Sequence, residues 1–178
     1  MKRLLPIFLL AFALGASAGD KPRVSRVSLV AMEKSLDDRI TRLWNDNPFV
    51  LLGPTRGIYL EGYGAVFTAE VNLVAQPTSL MNPVVTKQDV VRHHQKKLER
   101  IPQLKTMLRQ ALVDTAASLD TVPADEQVTI VAFLTRYPWE DTSGLPIQVM
   151  MQGSKKKLIE AQHAGGAGLD AAIRVTEY

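Results

Sequence analysis

The chain has 178 residues, a formal net charge of +3 and no cysteine. Its length fits one domain of ordinary size, and nearly half of its residues are hydrophobic, which is enough apolar surface for a core. The lack of cysteine excludes disulfides, so the fold must be held together by that core.

Residues 1–18 have the pattern of a secretory signal peptide. Lys2 and Arg3 precede an apolar run over residues 4–14, and small residues end the segment at Ala18. The run is shorter than the roughly 20 residues that span a bilayer, which favours a cleaved signal over a membrane anchor. Loss of Lys2 and Arg3 leaves 19 basic against 18 acidic side chains, so we expect no nucleic-acid partner. The sequence thus predicts an exported protein, periplasmic or secreted, without stable membrane insertion.

Residues 19–27 are predicted to form a short polar spacer, followed by a single α/β domain over residues 28–178. The first helix of this domain is predicted to start at a Ser28 cap and to end at a turn formed by residues 45–48, Asn-Asp-Asn-Pro. Its apolar side chains recur every three or four positions, at Leu29, Met32, Leu36, Ile40 and Leu43. Glu33 lies between these positions and is predicted to face water.

A β-sheet is predicted to begin after this helix. Apolar runs over residues 49–52 and 58–60 flank the turn-forming residues 53–57, which predicts a β-hairpin. The next strand, over residues 65–74, alternates apolar and polar side chains and therefore has one face in water. Such alternation favours an antiparallel or mixed sheet with helices on a single side.

A long covering helix is predicted to start at Thr86, because Asp89 follows three residues later as in a capping box. Its apolar stripe includes Val91 and Leu98. Pro102 lies inside the pattern and predicts a kink, or two helices joined at that point.

The last third of the chain is predicted to contain a central strand over residues 127–137 and a returning strand over residues 147–152. A short helix over residues 155–162 follows, with its first three lysines on a solvated face. An edge strand over residues 171–176 ends the domain. The predicted fold class is α+β: a two-layer α/β sandwich whose mixed or antiparallel sheet is covered by helices on one face.

The first candidate binding segment contains Arg56, Tyr59, Glu61 and Tyr63, interleaved with glycines. Glycines let the backbone approach a ligand, tyrosines offer stacking faces, and the two charged side chains can orient polar groups. The same residues are typical of a bulge or bend in a strand, so a purely structural interpretation stays open.

The second candidate binding segment follows the predicted central strand. Tyr137 and Trp139 stand beside Glu140 and Asp141, at a strand end where loops commonly bind ligands. This composition suits a sugar or a peptide. The alternative is a loop whose tryptophan folds back on the core.

Catalytic and metal-binding patterns are weak in this sequence. His93 and His94 are adjacent and point about 100° apart on a helix, so no metal site is predicted. His93 is predicted to be solvated and His94 partly buried. No cofactor and no nucleophile motif are predicted, and the one catalytic arrangement left open pairs Glu61 with Glu140 or Asp141.

These patterns favour a non-catalytic ligand- or protein-binding module of the bacterial cell envelope over an enzyme. Its candidate partners are an envelope protein, a peptide or a saccharide. Two alternatives stay open. One is a small envelope hydrolase that uses the carboxylates of the two segments, and the other is a structural subunit that self-associates.

Overall fold

Four helices and six strands make up the described part of the chain, which is residues 24–44, 50–78, 84–165 and 168–178 of a computed structural model. The helices are α1 (Arg26–Arg42), α2 (Lys87–Ser118), α3 (Lys155–His163) and α4 (Leu169–Ala172). The strands are β1 (Val50–Leu51), β2 (Arg56–Leu60), β3 (Gly64–Asn72), β4 (Gln127–Leu134), β5 (Gln148–Ser154) and β6 (Arg174–Glu177). The predicted signal peptide and the predicted turn at residues 45–48 lie outside the described residues. Within those residues, no helix combines the length and apolar character that crossing a membrane requires.

The strands form one mixed sheet with the order β1-β3-β4-β5-β6, and β2 pairs with β3 beside β1. β3 and β4 run parallel, because α2 carries the chain back across the sheet between them. All other pairs are antiparallel. The predicted α+β class with a mixed sheet is confirmed.

The core lies between the sheet and the helices. Alternate residues of the central strands, such as Phe67, Ile130 and Met151, are fully buried. They pack with apolar side chains of α1 (Leu29, Leu36 and Ile40), α2 (Leu104, Leu108 and Leu112) and α3 (Leu158). The helices therefore cover one face of the sheet, as the alternation of the strands predicted.

The predicted hairpin around residues 53–57 is wrong. β1 and β2 do not pair with each other; both pair with β3, as the registers Val50↔Asn72 and Arg56↔Thr68 show. The connection between them is held against α1 instead, because an Asp37 oxygen accepts hydrogen bonds from the Thr55 amide (2.9 Å) and hydroxyl (2.6 Å). The tight turn of the sheet lies between β2 and β3.

α1 starts earlier than predicted, because Ser25 takes the capping position and its hydroxyl accepts the Ser28 amide at 3.1 Å. Glu33 is buried and does not face water as predicted. Its carboxylate accepts the Gly57 amide of β2 at 2.6 Å and pairs with Arg26 at 2.8 Å. Burial of this acid is possible because both oxygens have partners.

α2 begins with the predicted capping box of Thr86 and Asp89. It then continues for 32 residues as one helix, so the prediction of two helices is wrong. Pro102 and Leu98 both lie on the exposed side of the helix. Proline offers no amide hydrogen to the Leu98 carbonyl, and a position on the exposed side of a helix lets water take that role.

Lys155 is buried, in contrast to the predicted solvated face. Its ammonium group donates to the carbonyl oxygens of Leu119 (2.6 Å), Asp120 (3.3 Å) and Val122 (2.7 Å). These carbonyls lie at and just after the end of α2, where the helix dipole favours a cation. Burial lowers the pKa of Lys155, and Asp120 opposes this effect. The side chain ties α3 to the end of α2.

Replacing Lys155 with methionine is expected to lower the free energy of unfolding by about 1–3 kcal/mol, because carbonyls that it satisfies lose their donor. Lys156→Met is the matched control, since Lys156 is exposed and its change is expected to stay within about 0.5 kcal/mol. Urea unfolding of both variants measures the difference. Equal effects of the two substitutions would contradict the assigned role of Lys155.

The final strand is shorter than predicted. Gly168 adopts a positive φ of 84° and starts the short helix α4, so β6 begins only at Arg174. Pairing of β6 with β5 is antiparallel, in the register Met151↔Val175.

Candidate functional site

A buried group of ionisable side chains lies beyond the carboxyl ends of β3 and β4. We call His93 and Lys97 of α2, together with Glu140 of the following loop, the charged cluster. The Glu140 carboxylate is 3.1 Å from Nε2 of His93 and 2.6 Å from Nζ of Lys97. Their side chains are only 1% (Glu140), 3% (His93) and 4% (Lys97) exposed. Lys97 also donates to the Thr135 carbonyl at 2.9 Å.

The position of the charged cluster on α2 follows from helix periodicity. Leu104 and Ile101 are buried core residues, and steps of four back from Ile101 reach Lys97, His93 and Asp89, all of them buried. The polar residues therefore continue the buried stripe. Val91 and Leu98, which the sequence placed on that stripe, are exposed. The prediction that His93 is solvated is wrong, because His93 is buried. His94 is half-buried, as predicted, and lies 3.0 Å from the Asp141 carbonyl oxygen.

Two aromatic rings cover the charged cluster. Tyr137 and Trp139 stack with their ring centres 5.4 Å apart and an interplanar angle of 9°. The His93 ring meets Trp139 edge to face at 4.9 Å. Asn72 at the end of β3 donates to the Tyr137 hydroxyl at 2.7 Å. The tryptophan thus folds back over buried groups, which is the alternative that the sequence left open for this segment.

Burial governs the electrostatics of the charged cluster. It lowers the pKa of His93, although Glu140 opposes the effect. Burial likewise lowers the pKa of Lys97, and again Glu140 favours the charged form. His93 is therefore neutral at pH 7, and the carboxylate and the ammonium group form a buried ion pair.

The charged cluster has no room for a substrate in this conformation. The cavity beside Lys97, Thr135 and Arg136 has a volume of about 10 Å³, the space of one water molecule. Within the described part of the chain, no three histidine, aspartate or glutamate side chains could hold a metal ion together. The arrangement instead fastens residues 137–141 to α2.

The first predicted binding segment surrounds the β2–β3 turn. Glu126 accepts hydrogen bonds from the Tyr59 hydroxyl and the Gly62 amide, both at 3.1 Å. Tyr59 packs against the core, and burial together with Glu126 raises its pKa. Glu61 is exposed in the turn. The Tyr63 hydroxyl lies 3.1 Å from that of Thr129 on β4.

The two predicted binding segments lie at opposite ends of the sheet. Gly64 and Gln127 begin the parallel pair, whereas residues 137–141 lie beyond its far end. Seven residue steps along β3, from Gly64 to Val71, separate these ends, which is about 23 Å. Glu61 therefore does not converge with Glu140 or Asp141, and the arrangement gives the hydrolase alternative no support.

The face of the sheet opposite the helices carries a second candidate surface. Four large apolar side chains point from it, with exposed fractions between 38% and 54%: Val50, Ile58, Leu60 and Phe133. The registers of the strands place these four side chains on the same face of the sheet as Val66 and Glu70 of β3, away from the core. Arg56 stands on the same side, and Tyr63 borders it. We call this surface the uncovered face.

A wide groove between α1 and α2, about 660 Å³ in volume, is a weaker candidate. Its floor contains Leu43 and Met107. Its arginines already have acidic partners: Arg39 pairs with Asp114 at 2.7 Å, and Arg42 lies 3.5 Å from Asp38. Of the cations that line the groove, only Lys34 has no ion pair with another described residue, so the groove offers a ligand little free charge.

Comparison with known proteins gives no family. No protein-family model, curated protein or solved structure matches this chain significantly. Functional inference for this protein therefore depends on its own geometry.

Sequence reasoning named five residues of these two sites, Arg56, Tyr63, Tyr137, Trp139 and Glu140, but missed the two α2 members of the charged cluster. His93, Lys97 and Asn72 were missed because buried polar residues carry no hydrophobic signal. A signal was nevertheless present, since spacing by four from Ile101 leads to Lys97 and His93.

Proposed function

We propose that this protein is an exported, non-catalytic binding module of the cell envelope that binds a protein partner through its uncovered face. The observation that carries the proposal is the row of exposed apolar side chains on that face: Val50, Ile58, Leu60 and Phe133. Export is supported by the signal-like pattern of residues 1–18.

The uncovered face is divided into an apolar and a polar half. β1, β2 and β4 contribute the four exposed apolar side chains. β5 and β6 contribute four polar side chains by the same register, Gln148, Gln152, Arg174 and Thr176, together with the half-buried Met150. An exposed apolar patch bordered by polar side chains is typical of a protein interaction surface, because the patch loses contact with water when a partner binds.

Charges on the uncovered face add specificity to this surface. Arg56 and Glu70 lie on neighbouring strands, and neither forms an ion pair with another described residue. Both are therefore available to complementary charges of a partner, which set orientation more than affinity.

The test compares a double variant of the uncovered face with a control variant on another surface. All three substitutions replace an exposed apolar side chain with threonine. Phe133→Thr with Ile58→Thr removes apolar area from the uncovered face while keeping residues that suit strands. Capture of the partner from an envelope extract by the purified protein is expected to fall roughly tenfold or more, as for hot-spot residues. Val91→Thr is the matched control, since Val91 is 56% exposed on α2.

The outcome distinguishes three interpretations. Loss of one captured protein with the double variant and its retention with Val91→Thr support the proposal. Equal capture by all forms contradicts it. Sedimentation of the purified protein tests the alternative of self-association, because a dimer that dissociates in the double variant makes the partner a second copy.

A further inference from the structure

The charged cluster joins two parts of the chain that have no regular pairing with each other. His93 and Lys97 belong to α2, whereas Glu140 belongs to the loop between β4 and β5. The loop contributes a single carboxylate to this contact, that of Glu140, whose side chain is 1% exposed. The side chains of His93 and Lys97 both contact it. Residues 137–141 are held by this contact and by the ring stack above it. Two weaker attachments add to them: the His94 ring lies 3.0 Å from the Asp141 carbonyl oxygen, and Asn72 donates to the Tyr137 hydroxyl.

The charges near His93 decide what its protonation would do. Lys97 lies one turn along α2, and Arg136 adds a second positive charge near Lys97. Among the residues that the structure describes, Glu140 is the one carboxylate bonded to either His93 or Lys97. The neighbouring strand β3 contributes the uncharged Asn72, which bonds to Tyr137.

Other acids nearby already have partners. Asp89, one turn before His93, bonds to Thr86 and Arg92. Asp141 accepts the Ser143 amide at 2.9 Å. Neither carboxylate is bonded to His93. An additional proton on His93 would therefore lie near one carboxylate, that of Glu140, and two cations, Lys97 and Arg136.

We infer that the charged cluster is a proton-operated latch: protonation of His93 releases residues 137–141 from α2, with Trp139 leaving its place over the imidazole ring. In the closed state the cluster holds one negative charge, one positive charge and a neutral imidazole. A second positive charge without solvent is costly, and opening the loop lets water reach it. This inference is independent of the proposed binding function.

The direction of the pH effect follows from linkage. Burial lowers the pKa of His93 below its usual 6.5 in the closed state, whereas the open state has the usual value. The closed state therefore has its full stability above pH 6.5. It loses stability as the pH falls through the lowered pKa that His93 has in the closed state. Envelope proteins meet changes of external pH directly, so such a latch would respond to acidification outside the cell.

Trp139 fluorescence tests the latch, because the only other tryptophan, Trp44, can be replaced by phenylalanine. In the Trp44→Phe protein, emission is expected to shift to longer wavelength as the pH falls from about 6.5 towards about 4.5, where histidine titrates before most carboxyls. Far-UV circular dichroism is expected to stay unchanged over this range, because only the loop moves.

Two variants on the same helix separate the latch from general acid effects. His93→Gln is expected to remove the fluorescence transition, whereas His94→Gln keeps it. NMR titration of the three histidines in the unmodified protein gives a second measurement that needs no variant. The pKa of His93 should lie below its usual 6.5 and should match the fluorescence midpoint. A transition that persists in His93→Gln, or that coincides with loss of helix, overturns the inference.

Discussion

Replacing Glu140 with glutamine is expected to lower the free energy of unfolding by about 3–5 kcal/mol, one of the two largest effects predicted for this protein. The substitution keeps the size of the side chain but removes the only carboxylate that touches Lys97 and His93 among the described residues. A buried ammonium group would remain without a counter-ion. Chemical unfolding in urea at pH 7 measures the loss.

Two further variants make the Glu140 result interpretable. Asp141→Asn changes the neighbouring carboxylate, which is exposed, and is expected to cost less than about 1 kcal/mol. The double variant Glu140→Gln with Lys97→Met removes both charges and is expected to recover much of the stability, because the isolated ammonium group is gone. A Glu140→Gln variant as stable as Asp141→Asn would contradict burial of the ion pair.

Replacing Gly64 with alanine is expected to lower the free energy of unfolding by about 3–5 kcal/mol, from backbone strain and a steric clash together. Gly64 has a φ of +131°, and a Cβ atom there would lie 1.9 Å from the Gln127 carbonyl oxygen. The clash falls where the parallel pairing of β3 and β4 begins, at Gly64↔Gln127. The clash is difficult to relieve, because the contacting atoms of Gln127 belong to the backbone and not to a flexible side chain.

Gly62→Ala is the matched control for this prediction. Gly62 also has a positive φ, +79°, but a Cβ atom there would meet nothing within 4 Å. Its cost is expected to be only the conformational strain, about 1–2 kcal/mol. Thermal unfolding of the two variants separates the clash from the strain, and equal melting temperatures would show that β4 does not approach Gly64 this closely.

Local patterns in the sequence were sufficient for most elements of the fold. The Thr86 and Asp89 capping box marked the start of α2, and alternation in β3 predicted one uncovered face. Long-range pairing was not predictable in the same way. Period-two alternation tells which face a residue is on, but not which strand lies beside it, so the sharing of β3 by β1 and β2 was missed.

The charged cluster was missed for a different physical reason. A hydrophobic stripe locates a buried helix face only if the buried residues are apolar. Before Ile101, the buried residues of α2 are polar and charged, whereas Val91 and Leu98 are exposed. Hydrophobicity therefore placed the buried face of this part of the helix on the wrong side, and burial of His93 depends on Glu140, which is distant in sequence.

The contacts between α1 and β2 have a further consequence for how chains of this protein meet one another. The main-chain groups of Gly57 bond to Glu33 and Arg26 of α1, so they point away from β3, at the rim of the sheet. Side chains of a helix there occupy two of the main-chain groups that an incoming strand would need, which disfavours addition of a strand at this edge. A chain that has formed its sheet but not yet docked α1 would expose this rim, so its resistance to ordered aggregation begins only when the helix is in place.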